Sequence, residues 1–221
     1  MDTIINVTNP KRHLRSWQRR KQARPGEILE AALSVFAEKG FAAARMDDIA
    51  LKAGVTKGTI YLYFPSKEEV FKSLAREHVS QNLVMAAAQA QQFEGSTFDF
   101  LRLFYERFVG LVLESEAAVL PKIIIGESGN FPELARFWRE EVIEKAAAMM
   151  SGIIAKGIAR GEIRNAPADH IAKLAMAPIL MCIVWRTTFE KTSDVPFDYH
   201  AYLATHCDVF FRGLAPDGKP T

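Results

Sequence analysis

The segment from Met46 to Phe64 has the pattern of two short helices joined by a tight turn, and it constrains the fold more than any other stretch. Gly54 follows the first helix, where a helix end favours a residue that is free to adopt positive φ. Thr56 then occupies the position of a helix N-cap. Ile60 and Phe64, four residues apart, are expected to face inward from the second helix. The pattern predicts a helix-turn-helix.

The outer face of the second predicted helix carries polar and aromatic side chains. A short helix of this kind can lie in the major groove of DNA, and the exposed amides of its first turn suit a phosphate. Gly58 allows the backbone to approach the nucleic acid closely. The side chains expected on the outer face are Lys57, Thr59, Tyr61 and Tyr63.

The longer run from Arg24 to Phe71, RPGEILEAALSVFAEKGFAAARMDDIALKAGVTKGTIYLYFPSKEEVF, resembles the DNA-binding domain of TetR-family transcriptional regulators over about 48 residues without a gap. Apolar spacing along the chain predicts nine helices and no strand, in agreement with that family's all-α architecture. The resemblance implies a three-helix helix-turn-helix domain at 25–71 and a helical ligand-binding and dimerisation domain at 72–221.

The resemblance also implies which residues contact DNA. By matching motif positions, Lys57, Gly58, Thr59 and Tyr61 are expected to read the operator. Thr56, at the start of the same helix, is also expected to contact DNA. Tyr63 and Lys67 are expected to hold phosphates. The family usually has Ser or Thr just before the second helix; Arg45 is found here instead, which loses a cap but puts a cation where a phosphate can lie.

The positive charge is concentrated at the N-terminus, although the whole chain of 221 residues has a net charge of only +2. Residues 1–80 hold 14 Lys and Arg against 9 Asp and Glu, which leaves 14 basic and 17 acidic residues for the remainder. This asymmetry fits a nucleic-acid-binding domain joined to a domain that does not bind nucleic acid. The basic segment 1–24 is expected to be either a disordered, solvated tail or an arm that follows phosphates or enters the minor groove.

A cytoplasmic protein is the expected class. The N-terminus lacks the apolar core of a signal peptide, and two cysteines make no disulfide framework. The apolar stretch from Ala172 to Trp185 is interrupted by Lys173 and is expected to be too short to span a bilayer.

Large apolar residues in the second domain suggest a cavity for a small hydrophobic or aromatic effector, in line with the family. The alternative is that they simply fill the core. A cavity is expected between the helices that bear Phe104, Phe108, Trp138 and Met149. The full set of predicted lining residues is Phe100, Phe104, Phe108, Ile123, Trp138, Met149, Met181 and Trp185.

The predicted helix from Ala168 to Glu190 is apolar nearly all round, so it must be buried on more than one side. We expect a partner chain to bury the remaining side. The resemblance agrees, because the last two long helices of the family usually pair with their copies in a four-helix dimer interface. The residues predicted in a homodimer interface are Ile171, Leu174, Ile179, Ile183 and Phe210.

No catalytic, cofactor or metal site is predicted. His200, His206 and Cys207 lack the spacing of a zinc site. Asp47 and Asp48 diverge by about 100° on a helix, which favours a role at the positive helix N-terminus over an acid–base pair.

The most complete interpretation is a repressor that a small apolar ligand releases from a palindromic operator. Two other classes stay open at this point. One is an activator or nucleoid-type DNA binder without a ligand, which a second domain lacking a cavity would favour. The other is an enzyme with a fused DNA reader, which polar residues around a deep pocket would favour.

Overall fold

The computed structural model describes residues 10–216, with side chains from residue 25 onward. Within this range the chain forms nine helices and no strand, which confirms the predicted all-α fold. In chain order the helices are α1 (Pro10–Lys39), α2 (Met46–Lys52), α3 (Lys57–Tyr63), α4 (67–92), α5 (97–113), α6 (116–127), α7 (132–159), α8 (168–192) and α9 (Tyr199–Leu214).

Helix α1 begins at Pro10, and Pro25 therefore lies inside it. A helix that began at the predicted domain boundary would instead have Pro25 in its first turn, where proline is favoured. The predicted arm of residues 1–24 falls partly on residues 1–9, which lie outside the described residues. Its disorder and its contacts with DNA stay predictions.

The first of two hydrophobic cores joins the helix-turn-helix to the base of the second domain. It combines α1, α2, α3 and the start of α4 with side chains from α6 and α7. Phe71 of α4 packs against Trp138 of α7 with ring centroids 6.2 Å apart, and Phe41 meets Phe131 edge-on at 5.0 Å. The two parts of the chain that were expected to divide near residue 71 therefore share a core.

The second core lies between α5, the later turns of α7, α8 and α9. Leu101 and Ile154 are fully buried in it. Tyr105 is buried as well, and its hydroxyl donates to the carbonyl oxygen of Ala175 at 2.6 Å. This bond satisfies the one polar atom of a large side chain and ties α5 to α8.

Helix α4 runs from the first core to the second. A wider, π-type turn at Arg76–Ser80 marks where it leaves the first core, and it contacts a second π-type turn at Arg139–Ile143 in α7. The buried Ser80 hydroxyl donates to the Glu141 carbonyl oxygen at 3.4 Å between the two turns. Beyond this point the segment Gln81–Gln92 has no fully buried residue, so the later half of α4 lies on the surface of the second core.

Helix α8 (Ala168–Thr192) is long and apolar enough to cross a bilayer, in contrast to the expectation from its apolar stretch alone. Length and composition do not separate a membrane span from the core helix of a soluble protein. In this chain α8 supplies seven buried residues, among them Ala175 and Cys182, to the protein's own structure. Its opposite side carries exposed apolar side chains, which bear on assembly.

Candidate DNA-binding interface and effector region

The turn between α2 and α3 has the geometry that the sequence predicted. Gly54 adopts a φ of 64°, in the left-handed region where glycine is favoured. The Val55 N–H donates to the Ala50 carbonyl oxygen at 3.0 Å. Ile49 of α2 and Ile60 of α3 are fully buried and hold the two helices at a fixed angle.

Thr56 caps α3, as predicted. Its Oγ1 accepts a hydrogen bond from the Thr59 N–H at 3.2 Å and lies 2.9 Å from Thr59 Oγ1. This satisfies one of the amides that a helix start leaves without an intrahelical partner. Both hydroxyls are therefore engaged in starting the helix, and Thr59 is only half-exposed.

The buried Ile60 fixes which side of α3 faces away from the protein. At about 100° per residue, Gly58 and Leu62 point most directly outward, with Tyr61 beside them. Leu62 is 75% exposed and Tyr61 45% exposed. Leu62 was missed from the sequence, although its spacing of two residues from Ile60 and four from Gly58 was the signal available. Tyr63 is half-buried against the first core, which makes it less accessible than the sequence suggested.

Lys57 is exposed at the start of α3 and forms an ion pair with Asp47 of α2, with Nζ 3.0 Å from Oδ2. The hydrogen bond that the Lys57 ammonium donates to the Asp47 carboxylate raises the pKa of Lys57 above its ordinary value. The ammonium is thus fully charged and is held at the edge of the outer face of α3.

The neighbouring Asp48 has different partners. Its carboxylate accepts the Arg45 N–H at 3.0 Å, which caps α2, and the Lys39 ammonium at 2.8 Å. The Lys39 hydrogen bond lowers the pKa of Asp48. Asp48 therefore serves the start of α2, as the helix N-terminal interpretation expects, whereas the described partner of Asp47 is Lys57. The Arg45 side chain is exposed to solvent.

The Lys67 ammonium is engaged within the protein. Its Nζ donates to three backbone carbonyl oxygens of the loop between α1 and α2: Phe41 at 2.6 Å, Ala44 at 3.0 Å and Ala42 at 3.2 Å. An ammonium has three N–H donors, so these three bonds engage all of them. The phosphate contact expected of Lys67 stays a prediction, and it would require exchanging at least one of these bonds for a bond to a phosphate oxygen.

The predicted effector residues do not line one site. Trp138 and Ile123 belong to the first core, whereas Phe104, Phe108 and Met149 border the second. The reason is that α7 spans both cores, so Trp138 in its first half and Met149 in its second half contact different partners. Phe100 is buried in the second core, and Met181 is exposed on α8.

An open depression lies where the end of α4, the start of α5 and the end of α7 meet. It encloses about 270 Å³, counted out to open solvent. Phe93, Phe100 and Ile153 line its floor, and Lys156 and Arg160 lie at its rim. Of the predicted effector residues, only Phe100 borders this depression.

Trp185, near the end of α8, packs against Phe189 and Phe197 with ring centroids 5.8 and 5.1 Å away. Its indole N–H is buried without a hydrogen-bond partner. The aromatic contacts make Trp185 part of a surface cluster at one end of the second core rather than a neighbour of Phe104 and Phe108.

The predicted interface residues divide into two groups. Ile171, Ile179 and Ile183 are buried in the second core of the same chain and cannot reach a partner. Leu174 is exposed and Phe210 is half-buried. Because α8 is apolar nearly all round, the spacing of its apolar residues did not indicate which side faces inward. The exposed large apolar side chains on α8 and α9 are Leu174, Leu180, Met181, Phe189 and Val209.

Two histidines and one cysteine lie on α9: His200, His206 and Cys207. No cluster of three or more potential metal ligands exists among residues 25–216. His206 instead contacts Tyr105, with Nε2 3.3 Å from the hydroxyl, and stacks on Phe210. Cys207 is buried as a free thiol.

The fold and the outer face of α3 define a helix-turn-helix DNA-binding protein with a second, helical domain. The model of the bacterial regulatory proteins of the tetR family matches residues 28–74, and that of the tetracyclin repressor-like C-terminal domain matches residues 94–195. The fatty acid metabolism regulator protein of Bacillus subtilis (strain 168) is 30% identical over 88% of this chain and 98% of its own length. The chain belongs to the tetR family, and it is a transcription regulator and not an enzyme.

Solved structures show the same fold. FadR from Bacillus subtilis in complex with stearoyl-CoA matches with a TM-score of 0.73 at 24% identity, over 85% of this chain and 98% of that one. The SmeT–triclosan complex matches with a TM-score of 0.74 at 20% identity, over 89% and 93% of the two chains. These likenesses confirm the architecture predicted from the sequence.

Proposed function

We propose that the protein is a homodimeric repressor that acts in the cytoplasm and leaves its operator when a hydrophobic effector binds. The observation that carries this proposal is the outer face of α3, which the buried Ile60 and the Thr56 cap direct away from the protein. Two such helices related by a two-fold axis would enter successive major grooves of a partly palindromic duplex. Lys57, Gly58 and Tyr61 are the residues we expect in the groove.

The exposed side of α8 and α9 supports the dimer. These helices pack against each other and present Leu174, Leu180, Met181 and Val209 to solvent. Covering them with the same surface of a second copy removes apolar area from water. This interface replaces the one predicted from Ile179 and Ile183.

The contact between α4, α5 and α7 supports an effector site in the second domain. Phe104, Phe108 and Met149 are half-buried there, and Arg107 of α5 hydrogen-bonds to Gln89 of α4. Because Gln81–Gln92 has no fully buried residue, a guest can displace this part of α4 without opening the core. Aromatic rings and a flexible thioether suit an apolar guest of loose shape.

Long-chain acyl compounds are the effectors we propose to test first. The B. subtilis relative is named a fatty acid metabolism regulator, and a structural neighbour holds stearoyl-CoA. An effector of this kind would act through α4, whose first turns carry Phe71 in the core of the DNA-binding domain. Release requires that the effector bind the DNA-free arrangement more tightly than the DNA-bound one.

The test begins with duplexes that the purified full-length protein selects from a random-sequence pool. We expect the enriched sequences to be partly palindromic, and we expect oleoyl-CoA or oleic acid to release them in a fluorescence anisotropy assay. CoA alone is the matched control and should release nothing. Lys57→Ala should weaken operator binding by ~1–3 kcal/mol without changing the amount of acyl compound bound. Full retention of DNA at saturating acyl ligand would contradict the effector part of the proposal.

A further inference from the structure

We propose that Leu62 recognises the 5-methyl group of a thymine in the operator and so sets the base preference at one position of each half-site. This inference rests on the proposed entry of α3 into the major groove. It gives a role to a side chain that takes part in neither hydrophobic core, although it is 75% exposed and apolar.

The position of Leu62 on α3 is fixed by its neighbour Ile60. Ile60 is fully buried, and residues two positions away on either side lie within about 20° of the opposite direction. Those residues are Gly58 and Leu62. Because Gly58 has no side chain, the isobutyl group of Leu62 is the outermost side chain along the centre of the helix face.

The chemistry of the groove selects the base. Thymine alone among the four DNA bases presents a methyl group there, while the other base edges present hydrogen-bond donors and acceptors. A leucine side chain can neither donate nor accept a hydrogen bond, so against a polar edge it would leave a base group unsatisfied. Contact with a methyl group buries apolar surface on both partners.

The polar residues around Leu62 do not occupy the centre of the outer face of α3, where a thymine methyl group would be contacted. Lys57 lies at the start of the helix and pairs with Asp47, and the hydroxyls of Thr56 and Thr59 bond to each other. Tyr61 flanks Leu62 with its phenol exposed and supplies a polar contact on one side only. The centre of the face is therefore apolar and its edges are polar.

The experiment replaces thymines one at a time by deoxyuridine, which removes only the methyl group, in a duplex that the protein selects from a random pool. Kd is measured by fluorescence anisotropy at one fixed salt concentration. We expect wild-type protein to lose about three- to five-fold in affinity at one thymine per half-site, the value for burial of one methyl group. Leu62→Ala should bind the thymine and deoxyuridine duplexes equally at that position, and Leu62→Met should keep part of the difference.

Leu51→Ala is the matched control, because Leu51 is 84% exposed but lies on α2. It should show the same deoxyuridine profile as wild type. The proposal is overturned if no thymine methyl matters to wild type, or if Leu62→Ala binds DNA and keeps the full difference at every position. Either result would leave the proposed regulator intact, whereas failure to enrich any duplex would overturn both.

Discussion

The Lys67 ammonium lies 2.6 Å from the carbonyl oxygen of Phe41 and 4.5 Å from the centre of the Phe41 ring. Together with its bonds to Ala42 and Ala44, this contact fastens the start of α4 to the loop between α1 and α2. Burial lowers the pKa of Lys67, as expected for an ammonium that has left bulk water. Lys67 therefore stabilises the DNA-binding domain from within.

Lys67→Met should lower the free energy of unfolding by ~1–3 kcal/mol, because it leaves three carbonyl oxygens without their donor. Urea unfolding followed by circular dichroism measures this change. Lys72→Met is the control: Lys72 pairs with Glu69 one turn away, at 2.7 Å, and lies 6.0 Å from the centre of the Phe137 ring, so its loss should cost less than ~1 kcal/mol. A folded, fully stable Lys67→Met protein with a shallower salt dependence of DNA binding would restore the phosphate role.

Substitutions at two adjacent residues of α8 should distinguish an effect on dimer assembly from an effect on folding. Leu180 is 51% exposed and Ile179 is 6% exposed. Leu180→Glu should give a folded monomer, because a charge on the proposed interface opposes its burial, whereas Ile179→Glu should unfold the domain. Sedimentation velocity and circular dichroism distinguish the outcomes. A Leu180→Glu protein that stays dimeric would place the interface elsewhere.

A glycine in α7 marks a close approach to the start of α5. A Cβ atom at Gly157 would lie 2.6 Å from Thr97 Oγ1 and 2.8 Å from Ile163 Cδ1. Gly157→Ala should therefore destabilise the protein by ~1–3 kcal/mol despite the better helix propensity of alanine. Gly152→Ala, in open space on the same helix, should instead stabilise it by up to ~1 kcal/mol. Equal gains from both substitutions in urea unfolding would contradict the packing argument.

His206 should make stability depend on mildly acidic pH. Burial lowers its pKa below the ordinary value, so the unfolded chain binds this proton more tightly than the folded one. The stabilisation from neutral His206 is complete above ~pH 6.5 and is lost as the pH falls through the lowered pKa. The Tm should therefore drop between pH 7.5 and 5.5.

His206→Gln should remove most of that drop, and His200→Gln, an exposed change on the same helix, should preserve it. The groups that face His206 are the Tyr105 hydroxyl and the Phe210 ring, and neither titrates in this range. An undiminished drop in His206→Gln would assign the pH dependence to other groups.

Local patterns in the sequence predicted the helix-turn-helix well, because caps and turns depend on a few adjacent residues. Gly54 and Thr56 have the conformation and the hydrogen bond that their positions implied. The carbonyl partners of Lys67 were not predicted, because they lie more than 20 residues earlier in a loop whose carbonyl directions no pattern reveals. The spacing of nearby residues predicts where a helix forms, but it does not predict which distant groups the long side chains of that helix contact.

Residues of the second domain were harder to assign for a different reason. Ile179 and Leu180 are chemically alike, and α8 is apolar nearly all round. The spacing of its apolar residues therefore does not show which side of the helix faces the core and which side faces a partner. Trp138 was grouped with Met149 because both lie on α7, yet a helix of that length reaches two cores. Such choices depend on tertiary packing, which one sequence does not display.

The contact between the π-type turns at Arg76–Ser80 and Arg139–Ile143 determines which single-residue deletions in α4 and α7 the fold can accommodate. Each such turn accommodates about one residue more than the α-helical turn it replaces, and the two turns contact each other. Deleting one residue from a single turn would shift the register of α4 against α7 and separate Ser80 from Glu141. Deleting one from each would shift both helices together, so relatives that lack one turn are expected to lack the other.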